Sequence, residues 1–127
     1  IYTLDTHFDD YLTTAEGKSL PVPHCIKGTV GHKLYGGLAD ALKGKLCFEK
    51  NTFPSLEMAK YLEGKDFDTI ELCGLVSNIC VLSNAVMAKS ACPNSEIIVA
   101  SSLTAAADEE IHQKSLDVMK GLFIKVL

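Results

Sequence analysis

The sequence of 127 residues contains no arginine, so all 12 of its basic residues are lysines. Arginine is the usual fork-shaped ligand for phosphate and carboxylate groups, and that means of binding them is missing here. The formal net charge of −4 gives no reason to expect nucleic acid or an anionic membrane surface as a partner. No apolar run has membrane-spanning length, and we find no basic-then-apolar start typical of a secretory signal. This composition fits a soluble enzyme domain.

The cysteines also lack a pattern, since no two of them form a CxxC pair of the kind that binds zinc. Their number is odd, their spacing is irregular and their surroundings are apolar. We therefore predict reduced thiols in a cytoplasmic protein rather than a disulfide framework. The five positions are Cys25, Cys47, Cys73, Cys80 and Cys92.

Strand-like apolar runs alternate with amphipathic segments, which predicts a single α/β domain over residues 1–127 with a mainly parallel sheet. The predicted strands are Ile1–Leu4, Lys45–Lys50, Thr69–Cys73, Glu96–Ala100 and Leu122–Val126. The predicted helices are Gly36–Leu42, Pro54–Leu62 with Pro54 near its first turn, Asn78–Ser90 and Asp108–Lys120. A long functional loop covers Asp5–Tyr35. In such sheets ligands bind at the carboxyl ends of the strands, and Asp5, Lys50 and the segment 74–80 all follow strands.

Cys80 is the candidate nucleophile. It stands near the start of a predicted helix, after the strand Thr69–Cys73, Gly74 and a short polar turn. Backbone N–H groups and the helix dipole at such a place favour a thiolate. The alternative is a small buried apolar residue, which is what most free cysteines are.

The loop carries carboxylate and imidazole groups suited to zinc, iron or manganese, namely Asp5, His7, Glu16 and His24. Asp5 and His7 are two residues apart at a strand end, so a continued strand would point both the same way. The alternative is that all four are solvated loop residues. We expect His32, in the loop, and His112, on the last helix, to face solvent.

The chain resembles the isochorismatase-like cysteine hydrolases, a superfamily that includes nicotinamidases, isochorismatases and related amidohydrolases. Gly74–Val81 fits the pattern Gly-x-x-(Ser/Thr)-(Asn/Asp)-x-Cys-Val, and the small-residue helix Asn84–Ala88 follows it. Asp5–His7, Pro23–Thr29 and Phe48–Phe53 match upstream segments in the same order.

The resemblance, which is nearest to nicotinamidases, implies a three-layer α/β/α fold and a specific site. Cys80 would be the nucleophile, and Lys50 would lie beside it and a catalytic aspartate. Val76 and Cys80 would supply the N–H groups of an oxyanion hole, after a cis peptide bond between Leu75 and Val76. The four ligand candidates would hold a divalent metal, zinc by preference, with iron or manganese as alternatives. The reaction would convert nicotinamide to nicotinate and ammonia through a Cys80 thioester, in a homo-oligomer.

One departure concerns the aspartate that acts as acid and base in the superfamily, since no residue here matches it. Asp5 matches a metal ligand instead. Ile1–Leu4 resembles the second strand of the superfamily, so we expect an upstream strand and helix to carry the aspartate and the isolated 127 residues to be inactive. Two alternatives stay open. One is a metal-free hydrolase of a carbamoyl or ureido compound or of isochorismate, and the other is a catalytically silent scaffold domain.

Overall fold

The computed structural model describes all 127 residues, Ile1 to Leu127, as a mixed α/β protein with parallel strands. This confirms the predicted fold class. The chain divides into two compact units, Ile1–Thr52 and Phe53–Leu127. The five strands form two parallel sheets, β1-β2 and β3-β4-β5. No helix is long and apolar enough to cross a membrane.

The first unit is built on two short parallel strands. Strand β1 (Tyr2–Asp5) pairs with β2 (Cys47–Lys50), and the register runs from Tyr2 opposite Cys47 to Asp5 opposite Lys50. The segment between the strands contains helices α1 (Ala15–Ser19) and α2 (Leu38–Ala41), with 3₁₀ turns at Tyr11–Thr13 and Val30–His32. This arrangement places Asp5 and Lys50 side by side at the carboxyl ends of their strands.

The second unit alternates helices with the strands of a parallel sheet. It contains α3 (Leu56–Leu62), β3 (Thr69–Leu75), a π-helical turn (Ser77–Val81), α4 (Leu82–Ala91), β4 (Glu96–Ala105), α5 (Glu109–Gly121) and β5 (Lys125–Val126). Strand β4 lies between β3 and β5. The π-helical turn follows the carboxyl end of β3, which is where ligands bind in sheets of this kind.

The apolar core lies in the second unit. Four consecutive residues of β4, from Ile97 to Ala100, are buried, which means that both faces of this strand are covered. Helix α4 contributes Ala85 and Ala88, and α5 contributes a stripe at helical spacing. That stripe consists of His112, Ser115, Leu116 and Met119.

Side-chain caps explain where two of the helices begin. The Ser55 hydroxyl accepts a hydrogen bond from the Met58 N–H, so α3 starts after Ser55. Pro54 directly precedes the cap, near the first turn, and the helix begins two residues later than the predicted start at Pro54. The Asp108 carboxylate accepts from the Ile111 N–H and starts α5 in the same way.

Two other elements differ from their predicted form. Strand β4 continues to Ala105, five residues past the predicted end, because its pairing with β3 resumes at Gly74–Thr104 after an irregularity in register. The predicted helix Asn78–Ser90 begins as a π-helical turn, in which the Val76 carbonyl accepts hydrogen bonds from the N–H groups of Ile79 and Val81.

Candidate functional site

The four candidate metal ligands lie together in the first unit. The His7 Nε2 atom is 3.4 Å from the Asp5 Oδ2 atom and 3.4 Å from the Glu16 Oε1 atom. The His24 Nε2 atom is 3.5 Å from each of the same two oxygens. The ligand atoms of Asp5, His7 and His24 lie within 4.8 Å of one another. We call these four residues the ligand cluster.

The spacing within the ligand cluster fits a shared cation. Ligand atoms placed tetrahedrally about a metal at roughly 2.1 Å are separated by about 3.4 Å. The His7 side chain is only 4% exposed, and its Nε2 atom is buried without a hydrogen-bond partner despite the two nearby carboxylate oxygens. A buried nitrogen that has no hydrogen-bond partner lowers the stability of the fold unless another group binds it. A divalent ion bound to Nε2 would satisfy it.

His24 presents a nitrogen of the right kind to the cluster. Its Nδ1 atom is 2.8 Å from the Val22 carbonyl oxygen. Because a carbonyl only accepts hydrogen bonds, Nδ1 carries a hydrogen, which leaves Nε2 as the ring nitrogen that can bind a metal ion. The His24 side chain is 33% exposed, so the cluster is open to solvent on this side.

Local backbone contacts bring the cluster together from distant positions in the loop. The His7 N–H donates to the Cys25 carbonyl, and the Lys27 N–H donates to the His7 carbonyl, which forms a parallel bridge between His7 and Ile26. This bridge holds the His24 segment against the end of β1. The cap of α1, where the Thr14 hydroxyl accepts from the Gly17 N–H, places Glu16 in the first turn of the helix.

Tyr11 packs against both histidines of the cluster. Its ring lies edge-on to His7 at 4.7 Å and to His24 at 5.1 Å between centroids. Its hydroxyl donates to the Leu20 carbonyl at 2.9 Å. Burial raises the pKa of the Tyr11 phenol, and the carboxylates of Glu16 and Asp5 raise it further. The neutral phenol therefore serves as a buried support for the two imidazoles.

Lys50 connects the strand pair to the ligand cluster. Its ammonium is 3.0 Å from the Asp5 Oδ1 atom, and its side chain is only 5% exposed. Asp5 therefore shares its carboxylate, with Oδ1 at the lysine and Oδ2 towards the histidines. A buried ammonium needs such a partner. The catalytic role that the resemblance implies for Lys50 stays a prediction.

Cys80 lies in the second unit, in the π-helical turn between β3 and α4. The peptide bond between Leu75 and Val76, at the entrance to the turn, is cis. Cys80 is partly exposed. None of the five cysteines forms a disulfide. The assignment of the Val76 and Cys80 N–H groups to an oxyanion hole stays a prediction.

Asn84 supports the turn, and our sequence reasoning assigned it no role. Its side-chain amide donates to the carbonyls of Cys80 at 2.8 Å and Phe53 at 3.1 Å, and its side-chain oxygen accepts from the Ser55 N–H at 2.8 Å. The residue is 4% exposed. An amide side chain among the small residues of a buried helix was the signal that could have identified it.

The two remaining histidines do not lie in open solvent as we expected. His112 is 8% exposed, and its Nδ1 atom is 2.9 Å from the Ser77 hydroxyl, so the prediction for His112 was wrong. The buried stripe of α5 includes His112, which the helical periodicity could have shown. His32 is half-buried and bonds the hydroxyl of buried Thr6 through Nε2 at 2.9 Å.

Comparison with known proteins gives a consistent result. The isochorismatase domain family matches residues 1–127, while comparison with curated protein sequences gave no match. A pyrazinamidase/nicotinamidase structure from Streptococcus mutans is 29% identical, with a TM-score of 0.84 and coverage of 100% of this chain and 75% of that chain. The nicotinamidase/pyrazinamidase structure from Bacillus subtilis is 26% identical, with a TM-score of 0.82 and coverage of 98% of this chain and 72% of that chain. A zinc complex of pyrazinamidase from Pyrococcus horikoshii, at 20% identity and a TM-score of 0.77 with coverage of 98% and 72%, shows the shared fold alone.

Proposed function

The chain belongs to the isochorismatase family, and we propose that it is a nicotinamidase-like cysteine amidohydrolase that converts nicotinamide to nicotinate and ammonia. The observation that carries the proposal is the ligand cluster, in which the His24 imidazole and two carboxylates surround the His7 Nε2 atom, which has no hydrogen-bond partner. This cluster favours the metal-dependent amidase over a metal-free hydrolase of a carbamoyl compound, because a metal-free reaction does not explain why four metal-binding side chains lie together.

Cys80 supplies the nucleophile in the proposed reaction. Its sulfur attacks the amide carbon, and collapse of the tetrahedral intermediate forms a thioester as the carbon–nitrogen bond breaks. The thiol proton leaves with the ammonia. Water then cleaves the thioester, which returns the thiol and releases the carboxylic acid. The N–H groups of Val76 and Cys80 stabilise the negative charge that develops on the carbonyl oxygen in both steps.

The ligand cluster would hold a divalent ion through one atom each of Asp5, His7, Glu16 and His24. Two nitrogens and two oxygens suit zinc, and iron or manganese also accept this set. When bound, the ion supplies a Lewis-acid position that can orient a lone pair of the substrate, such as that of a pyridine nitrogen.

Lys50 has a supporting role in this proposal. By bonding Oδ1 of Asp5 it turns Oδ2 towards the histidines, and its ammonium offsets part of the negative charge of the two cluster carboxylates.

The test is ammonia release from nicotinamide by the natural protein, combined with metal analysis. We expect Cys80→Ser to lower kcat by about 10³-fold or more, because an alkoxide forms far less readily than a thiolate. Cys73→Ser, which changes an exposed thiol of β3, is the matched control and should retain activity. His24→Ala should lower the metal content and raise KM.

Three results would contradict the proposal. Substantial activity in the Cys80→Ser protein would remove the thiol from the mechanism. Hydrolysis of a ureido compound, but not of nicotinamide, by a protein that binds no metal would favour the metal-free hydrolase instead. A protein that turns over neither compound would favour the scaffold.

A further inference from the structure

The first residue of the π-helical turn is anchored to a different helix. Ser77 is fully buried, and its hydroxyl lies 2.9 Å from the Nδ1 atom of His112 on α5. This is the one hydrogen bond that the structure gives the Ser77 hydroxyl. The loss of such a bond is costly for a buried hydroxyl, because no water molecule can reach it to replace the lost partner.

The histidine itself is held firmly. The His112 N–H donates to the carbonyl of Asp108, the residue that caps α5, and the His112 carbonyl accepts from the Ser115 hydroxyl at 2.7 Å. Leu116 and Met119, which follow on the same face of the helix, are buried in the core. The imidazole is therefore a fixed point to which the turn is attached.

The other end of the turn is attached as well. Asn84 donates to the Cys80 carbonyl at 2.8 Å, and the Ser83 hydroxyl donates to the Ile79 carbonyl at 2.7 Å. Those bonds come from α4, which follows directly in the chain. The hydrogen bond between Ser77 and His112 instead joins the turn to a residue 35 positions away in the chain.

We infer that His112 is a positioning residue for Cys80, acting through the Ser77 hydroxyl to fix the start of the π-helical turn. This inference rests on the proposed role of Cys80 as the nucleophile. The thiol and the backbone N–H groups of Val76 and Cys80 belong to the same short segment, so a shift at Ser77 displaces them all. A displacement of about 1 Å is enough to lower a rate by about 10²-fold.

The experiment compares three variants at this contact in the natural protein. Ser77→Ala and His112→Leu both remove the hydrogen bond. His112→Asn keeps a polar atom at the position of Nδ1 and should restore the bond. Ser95→Ala is the matched control, because Ser95 is buried and donates to the Phe67 carbonyl before the start of β4, at the opposite end of the strands.

The first readout is the rate at which iodoacetamide alkylates Cys80, measured on the Cys80 peptide so that the other thiols do not interfere. It needs no substrate, and so it tests the inference even if nicotinamide is not hydrolysed. We expect Ser77→Ala and His112→Leu to lower this rate by a similar factor, about tenfold. The double variant should be no slower than either single variant, because both remove the same bond.

The second readout is kcat and KM for amide hydrolysis. We expect the same two variants to lower kcat by about 10- to 100-fold with little change in KM, and His112→Asn to recover most of the loss. The Ser95→Ala protein should match the parent in both readouts. If His112→Leu does not fold, Ser77→Ala removes a single oxygen atom and gives the answer alone.

Unchanged alkylation of Cys80 in folded Ser77→Ala protein would overturn the inference. So would additive losses in the double variant, or a His112→Asn protein as slow as His112→Leu. Absence of nicotinamide hydrolysis in the parent, with the expected alkylation pattern, would instead contradict the proposed substrate and leave the positioning role supported.

Discussion

Removing the divalent ion should loosen residues 1–52 far more than residues 53–127. The first unit has only five buried residues, and all of them except Thr6 belong to the ligand cluster or its supports. They are Thr6, His7, Tyr11, Gly17 and Lys50. Tyr11 is the only hydrophobic residue among them. This unit therefore has little apolar core of its own to keep it ordered.

The size of the effect follows from the proposed ion. A ligand at 1,000 times its dissociation constant stabilises the state that binds it by about 4 kcal/mol. Without the ion, the buried His7 Nε2 atom again lacks a partner, at a cost of about 1–3 kcal/mol. Because every 1.4 kcal/mol is a factor of ten, hydrogen exchange in the first unit should become faster by about 10³-fold.

The assay is hydrogen exchange of the zinc-loaded protein before and after chelation, read by mass spectrometry over the whole sequence. We expect faster exchange in peptides from residues 1–52 and little change in peptides from β4 and α5. The His24→Ala protein, which loses one ligand, should exchange rapidly in residues 1–52 and respond weakly to the chelator. Equal exchange with and without the ion in residues 1–52, in protein shown by metal analysis to have been loaded, would refute the reasoning.

Three further changes test the supports of the two sites. Asn84→Leu should lower the free energy of unfolding by about 2 kcal/mol or more in urea titrations, because the Ser55 N–H and the Phe53 carbonyl lose their partner at about 1–3 kcal/mol each; a midpoint equal to that of the parent would contradict this. Gly17→Ala should lower the free energy of unfolding by about 1–3 kcal/mol and weaken zinc binding, because a Cβ there would lie 2.0 Å from the Tyr11 carbonyl oxygen. Gly31→Ala is the control and should have no such effect, because a Cβ there has its nearest neighbour at 3.8 Å. Tyr11→Phe should retain zinc affinity in calorimetric titration, because the ring contacts remain, and Tyr11→Leu should lose it; equal affinities would show that the ring does not support the histidines.

The strands and helices were predictable where the local pattern is strong. Helix α5 could be placed to within one residue at either end because its cap at Asp108 and its apolar spacing agree. The length of β4 could not be predicted, since the part beyond Ala100 depends on pairing with β3 after an irregular register. Short-range signals do not contain that information.

The site shows the same division between local and distant information. The grouping of Asp5 with His7 follows from their alternation along an extended strand. Glu16 and His24 were candidates by their ligand chemistry, and the family resemblance joined all four in one metal site. The bond between Ser77 and His112 joins positions that are far apart in the sequence. Nothing in the spacing of either residue predicts the other, because the contact is made only when α5 packs. The homo-oligomeric state and the cytoplasmic location stay predictions.

The ligand cluster is drawn entirely from residues 5–24, while the thiol and its supports begin at residue 53. In the proposed function, the ion requirement and the sulfur chemistry are therefore encoded in separate stretches of the gene. Replacing the stretch that encodes residues 5–24 can alter or remove the ion requirement without changing a codon of the π-helical turn. For a protein engineer, this makes metal preference a property that can be recombined independently of the bond-breaking residue.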